Sequence, residues 1–208
     1  ETALITASKL PALLNIGNCG EVINLIDNDI LPIINSHVSN PRLNKSLPME
    51  FLYDTWVNVH LELAIALAVQ GSNRASDVLN TLLKIIEKHR IKDEKLIYKA
   101  KLTQAWIYSV KGNYNDSNEI LNQVKSFFDR EHISIDNMNF EHTDILNYYN
   151  LIQIMNKFHK KDYDNIQESL FEASIIASDT GNEYLKNIFK TLLGKIFYEN
   201  KQAKHAIE

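Results

Sequence analysis

The sequence predicts an all-α protein, arranged as a right-handed superhelix of antiparallel helical hairpins. Only six glycines and four prolines occur in 208 residues, so long stretches lack the residues that usually end helices. Apolar residues recur at helical spacing along these stretches. Polar turns separate paired helices at Gly71, Gly112, Lys161 and Lys201, at intervals of 41, 49 and 40 residues. A helix–turn–helix unit that recurs at this length is typical of a solenoid of stacked hairpins.

The predicted hairpins follow one another along the chain. They span residues 2–37, 50–89, 95–128, 141–178 and a truncated 183–208. In the first hairpin, one helix over 2–16 ends at the turn 17–20, and a second helix runs over 21–37 with Pro32 near its last turns. The paired helices of the next three hairpins are 49–70 with 74–89, 95–110 with 114–128, and 141–158 with 163–178.

Turn residues and the two chain ends complete this division. Residues 38–48 carry proline, asparagine and serine without periodicity and predict a surface loop. The last hairpin has a helix over 183–199, and a second helix begins at Lys204 and is cut after Ile207. Since residue 1 is a glutamate and not a methionine, we expect 1–208 to be a single repeat segment of a longer solenoid.

Composition and charge argue against several classes of function. A formal charge of -4 and a pI near 6.0 disfavour bulk affinity for nucleic acid, which needs a cationic face that displaces counterions. The single cysteine, Cys19, excludes an internal disulfide and a cysteine-rich zinc site. No apolar run approaches the roughly 20 residues that span a bilayer, and no signal peptide is recognisable. These features predict a location in the cytosol or the nucleus.

Two stretches carry the small and aromatic residues of a known repeat. They are 105–124, with Ala105, Gly112 and Ser117, and 193–197, which Ala206 follows. Both resemble the tetratricopeptide repeat, in which small residues let paired helices approach and aromatic residues fill the gaps. The resemblance assigns small positions to Ala64, Ala105, Ile154 and Gly194 on first helices, and to Ala75, Ser117, Ile166 and Ala206 on second helices. The two isoleucines exceed the preferred size, so we expect that hairpin to pack further apart.

A narrower resemblance covers 96–124, 173–182 and 192–198. These stretches resemble the C-terminal repeats of the smaller cohesin-loading subunit, the Mau2 family. In that family a superhelix of such repeats wraps an extended N-terminal segment of the large loader subunit, and the pair deposits cohesin on chromosomes. The resemblance implies a nuclear scaffold that acts in cohesin loading and chromosome segregation.

Repeats of this kind place their first helices on the concave side, which predicts a groove for a polypeptide. The candidate groove residues are Lys99, Trp106, Tyr148, Met155, Phe158, Lys195 and Tyr198, and Ile152 is a further inward position. Aromatic side chains that lose water on binding supply much of the energy at such interfaces. The alternative is that Trp106, Met155 and Phe158 only pack against the next repeat.

A basic cluster occupies one predicted turn. It consists of Lys157, His159, Lys160 and Lys161. One or two of these cations would be explained by the helix dipole, and all of them would remain solvated in an exposed turn. The alternative is a patch that meets an acidic or phosphorylated receptor.

Motifs for chemistry are lacking. The sequence contains no GxGxxG, GxxxxGK[ST], GxSxG or HExxH pattern, so we expect no enzyme activity, no cofactor and no metal. The preferred function is therefore a protein-binding scaffold. Two alternatives stay open: the sensor segment of a bacterial transcription regulator of the MalT type, which binds a small inducer, and a repeat subunit of a ubiquitin-ligase or trafficking complex.

Overall fold

In a computed structural model of the chain, the described residues are 2–39, 49–131, 143–160 and 166–199. Every regular element in these ranges is helical and none is a β-strand, which confirms the all-α prediction. The molecule divides into two compact units, Glu1–Thr103 and Gln104–Glu208. The boundary falls inside helix α7, so α7 supplies residues to both units. One continuous repeat segment over 1–208 stays a prediction.

The first unit begins with two short helices where the sequence predicts one. Helix α1 is Thr2–Ala7 and helix α2 is Leu10–Asn15. Pro11 lies in the first turn of α2, where its missing N–H is not needed by the helix. The proline ring would clash with the backbone of a helix that continued from α1. The prediction of a single helix over 2–16 is therefore wrong.

The next predicted helix is present, with an irregular middle. Helix α3 (Cys19–Leu25) leads into a π-helical turn (Ile26–Ile30) and then into α4 (Leu31–Ser39). The Leu31 N–H donates to the Ile26 carbonyl oxygen, five residues back. Pro32 follows immediately. Because proline donates no hydrogen bond and crowds the preceding turn, the wider π turn accommodates it without ending the helix.

Helix α5 (Met49–Val69) is the central helix of the first unit. It contacts α1, α2, α3, α4 and α6, and it buries every residue over 61–68 except the half-buried Glu62. Helix α6 (Arg74–His89) follows after a short turn and packs back on α5. Arg74 at its start forms a two-pronged ion pair with Asp27, at 2.5 and 2.6 Å. Both side chains are partly exposed, so this pair contributes little stability.

Several helices end in the same closed turn. At Gly17, Gly71, Gly112 and Gly181 the φ angle lies between 67° and 81°. In each case the glycine N–H bonds the carbonyl three residues back, and the next N–H bonds the carbonyl five residues back. This is the Schellman arrangement, which satisfies the last carbonyl groups of a helix. Arg90 ends α6 in the same pattern at φ 51° without being a glycine.

The second unit contains the end of α7 (Glu94–Val110), followed by α8 (Tyr114–Arg130), α9 (Thr143–His159), α10 (Ile166–Asp179) and α11 (Glu183–Glu199). Helix α9 contacts α8 and α10, and α10 packs extensively on α11. Their core includes Leu151, Leu170 and Phe189. These helices agree with the predicted ones to within three residues at each described end.

The small positions assigned from the repeat resemblance are packed. The fully buried ones are Ala64, Ala75, Ala105, Ser117, Ile154 and Ile166. Gly194 is half-buried, and Ala206 lies outside the described residues. Burial at these positions is compatible with a row of helical hairpins. The tetratricopeptide assignment itself stays a prediction.

Candidate functional site

Helices α7 and α9 form an apolar slot in the second unit. The slot residues are Trp106, Ser109 and Val110 on α7, and Leu151, Ile152, Met155 and His159 on α9. On each helix they recur at spacings of three or four, which places them on one face. The slot has a volume of about 20 Å³, which is enough for about one water molecule.

Trp106 is the aromatic wall of the slot. It is half-buried, and its ring centroid lies 5.9 Å from that of Tyr148 with the planes tilted by 51°. Trp106, Met155 and Phe158 also pack against the buried core of the second unit. These three side chains therefore do have the packing role that the sequence left open as an alternative to partner binding. Trp106 also lies beside Tyr148 and shares the slot with Met155, and that these side chains hold a partner stays a prediction.

Four slot residues are not among the predicted groove residues: Ser109, Val110, Leu151 and His159. Val110 is 53% exposed and lies at the mouth of the slot. His159 was grouped with the basic cluster, but it lines the slot beside Met155. The signal for Val110 was its position four residues after Trp106 on the same helix face. His159 similarly follows Met155 by four residues.

His159 links the slot to an open polar recess. Its ring stacks on that of Tyr114, with centroids 5.8 Å apart and planes at 19°. The recess has a volume of about 300 Å³ and is lined by Gly112, Asn113, Tyr114, Asn115, Asp116 and Lys160. Three of these residues, Tyr114, Asn115 and Asp116, form the first turn of α8, where main-chain N–H groups have no partner within the helix. An apolar slot therefore adjoins a surface with main-chain donors.

Other predicted groove residues do not line this slot. Phe158 packs against the core and meets His159 edge to face, with centroids 6.0 Å apart. Lys195 and Tyr198 are exposed on α11, and Tyr198 is 76% exposed. Lys99 is half-buried in the first unit.

The predicted basic cluster lies at the end of α9. Lys157 is half-buried, His159 and Lys160 are exposed, and Lys161 lies outside the described residues. His159 is engaged with Tyr114. Lys160 shares the recess with Asp116, so an acidic group accompanies the cation there.

Two buried amides hold α9 between its neighbours. The Asn156 Nδ2 donates to Ser117 Oγ on α8 over 2.9 Å, and the Asn147 Nδ2 donates to Thr180 Oγ1 after α10 over 3.1 Å. Both asparagines are at most 2% exposed, and the Oδ1 atom of each has no hydrogen-bond partner. These contacts fix the position of the helix that carries one wall of the slot.

Burial perturbs two titratable groups of the first unit. It raises the pKa of the Cys19 thiol, against a smaller lowering by a backbone hydrogen bond, so the thiol is held protonated and unreactive. Burial also lowers the pKa of His60. The His60 Nδ1 donates to the Trp56 carbonyl oxygen over 2.8 Å. In the described ranges no three His, Cys, Asp or Glu side chains come together as a metal site.

Comparison with known proteins gives no relative. No protein-family model, no curated protein and no solved structure matches the chain. Among the described helices, none is long and apolar enough to cross a membrane.

Proposed function

We propose that this chain is a non-catalytic scaffold that holds an extended segment of a larger polypeptide against the slot between α7 and α9. The slot carries this proposal because it joins an aromatic wall to an exposed apolar lip at Val110, and His159 of the slot stacks on Tyr114 of the polar recess. An extended peptide places single side chains into such depressions and satisfies its main chain on neighbouring polar groups.

The size of the slot argues against a metabolite. Small-molecule pockets commonly have volumes of roughly 300–1,000 Å³ and enclose most of the ligand, whereas the slot holds about 20 Å³. Met155 in its wall is unbranched and adaptable, which lets the slot widen for one apolar anchor. The recess is large enough for a metabolite. Its charged lining residues are one cation, Lys160, and one acid, Asp116, so its charge favours neither an anionic nor a cationic ligand.

The finer proposal rests on the repeat resemblance. We propose that the hairpins form a right-handed tetratricopeptide-type superhelix, and that the chain is the smaller cohesin-loading subunit in the nucleus. Its partner would then be the N-terminal segment of the large loader subunit. An all-helical fold in the described residues, with buried small positions, supports this proposal. The exposed Lys160 and its neighbour Lys161 would offer a second contact to an acidic or phosphorylated receptor.

A binding measurement with the large-subunit segment tests the finer proposal. The segment, taken from the same organism, should bind the purified chain, and Val110→Lys should weaken binding about tenfold or more by placing a charge at the slot mouth. Asn122→Lys is the matched control, because it adds the same charge on an exposed position of α8. Absence of binding by the unaltered chain would refute the cohesin-loader assignment.

A further inference from the structure

Helix α10 exposes a pair of large apolar side chains on its outer face. Phe171 is 61% exposed and Ile175 is 45% exposed. They are four residues apart and therefore neighbours on one face of the helix. The opposite face, which includes Leu170 and Ala173, is buried in the core of the second unit. The outer pair is thus not needed to attach α10 to its own core.

The second helices of the two preceding hairpins lack this feature. All exposed side chains of α6 and α8 are polar or charged. A solvated outer face is the ordinary pattern for an amphipathic helix. The exposed pair of α10 is therefore a departure within the same chain, and exposed apolar groups that cluster on a polar surface are typical of interaction sites.

The charged residues of α10 itself all have one sign. Glu168, Glu172 and Asp179 are exposed on the same side of α10 as the pair, and α10 contains no lysine, arginine or histidine. We name Glu168, Phe171, Glu172, Ile175 and Asp179 the α10 surface. It combines an apolar centre with an acidic border, so a complementary partner carries an apolar stripe bordered by cations.

We propose that the α10 surface docks an amphipathic, lysine- and arginine-bearing helix of a partner protein. A helix fits because the i, i+4 ridge formed by Phe171 and Ile175 packs between the apolar residues of a second helix. Its flanking cations meet the three carboxylates. This site is separate from the slot, and the proposal goes beyond the proposed function.

Other occupants fit less well. A symmetric pairing with a second copy would oppose the acidic borders of two identical surfaces. Stable dimers also bury about 800 Å² per partner, which two apolar side chains do not supply. Anionic membranes and nucleic acids would be repelled by the same carboxylates.

Selection from a random library of displayed helical peptides of about five turns tests the proposal with the whole chain as bait. Enriched peptides should carry Lys or Arg beside apolar pairs at i, i+4. The double change of Phe171→Ser and Ile175→Ser should lower the affinity for the tightest-binding peptide about tenfold or more. Asn80→Ser with Lys84→Ser, at the same spacing on the polar face of α6, should leave its affinity unchanged. Circular dichroism melting checks that each variant is folded.

A charge reversal supplies a second readout. Glu168→Lys with Glu172→Lys should shift selection from cationic towards acidic peptides, and added salt should weaken binding to the unaltered chain. Enrichment of peptides without cations, or equal affinity for the Phe171→Ser, Ile175→Ser variant, would overturn the proposal. So would a concentration-dependent dimer that this variant abolishes, because the occupant would then be a second copy. Val110→Lys should leave peptide binding at the α10 surface intact, which distinguishes it from the slot.

Discussion

The buried side-chain amide of Asn156 on α9 donates a hydrogen bond of 2.9 Å to the hydroxyl oxygen of Ser117 on α8. The same nitrogen lies 2.9 Å from the Oδ1 of Asn118. Ser117 is fully buried and Asn156 is 2% exposed, so water cannot replace these partners. This contact joins two successive helices through residues 39 positions apart in sequence and helps to hold α9 against α8.

Asn156→Leu should therefore lower the free energy of unfolding by about 2 kcal/mol, because the Ser117 hydroxyl loses a buried partner. The double variant Asn156→Leu, Ser117→Ala should recover part of this loss, since both polar partners are then replaced by apolar groups. Urea denaturation followed by circular dichroism measures both values. A single variant within about 0.5 kcal/mol of the unaltered chain would show that the contact does not stabilise the second unit.

Much of the helical layout follows from local sequence. Predicted helices over 74–89 and 183–199 match α6 and α11, because a closed turn precedes each helix and helical spacing runs through it. The first hairpin was predicted less well. Pro11 and Pro32 each permit two outcomes, a helix start or a widened turn, and the local sequence does not decide between them.

The slot was predicted in part. Helical register placed Trp106 and Met155 on one side, and they do line one depression. The helical spacing did not show that Trp106 and Met155 also pack against the core. A half-buried side chain can contact the core and line a surface depression at the same time. The roles of Asn147 and Asn156 were also missed. Their only sequence signal is an amide at positions of the apolar stripe of α9, and the partners lie more than 30 residues away.

The buried imidazole of His60 should make stability depend on pH. Because burial lowers its pKa below the ordinary 6.5, the unfolded chain takes up a proton at a higher pH than the native chain does. The free energy of unfolding should thus be highest above pH 6.5 and fall as the pH drops from there towards the lower native pKa. His60→Phe keeps a ring beside Trp56 and should remove this part of the pH dependence. Denaturation curves between neutral and mildly acidic pH measure it, and an identical slope in both proteins would contradict the prediction.

Arg90 should be replaceable by glycine with a gain in stability. Its φ of 51° lies in the left-handed region, at the position that glycine occupies in four other helix ends. Arg90→Gly should relieve strain and stabilise the chain by about 0.5 kcal/mol after the entropy cost of glycine in the unfolded chain. Gly112→Ala is the converse: a Cβ there meets no atom within 4 Å, so its expected loss of about 1 kcal/mol is backbone strain alone. Thermal melting distinguishes the expected gain in stability from the expected loss. A lower melting temperature for Arg90→Gly would contradict the prediction.

Trp106→Ala should destabilise the second unit by about 2 to 4 kcal/mol, because the indole ring packs against the core as well as lining the slot. Tyr198→Ala is the matched aromatic truncation, and it should change stability by less than about 0.5 kcal/mol because its side chain is exposed. Chemical denaturation compares them. An unchanged denaturation curve for Trp106→Ala would mean that Trp106 acts only as a binding residue.

The most direct measurement of the proposed function is quantitative mass spectrometry of proteins that copurify with the unaltered chain, with Val110→Lys and with Asn122→Lys from native cells. Both changes add one charge at an exposed position, and only Val110 lines the slot. A scaffold that holds a polypeptide at the slot predicts one larger protein that is depleted about tenfold or more with Val110→Lys and retained with Asn122→Lys. If the two variants recover the same proteins in the same amounts, the slot does not hold a polypeptide and the proposed function is wrong.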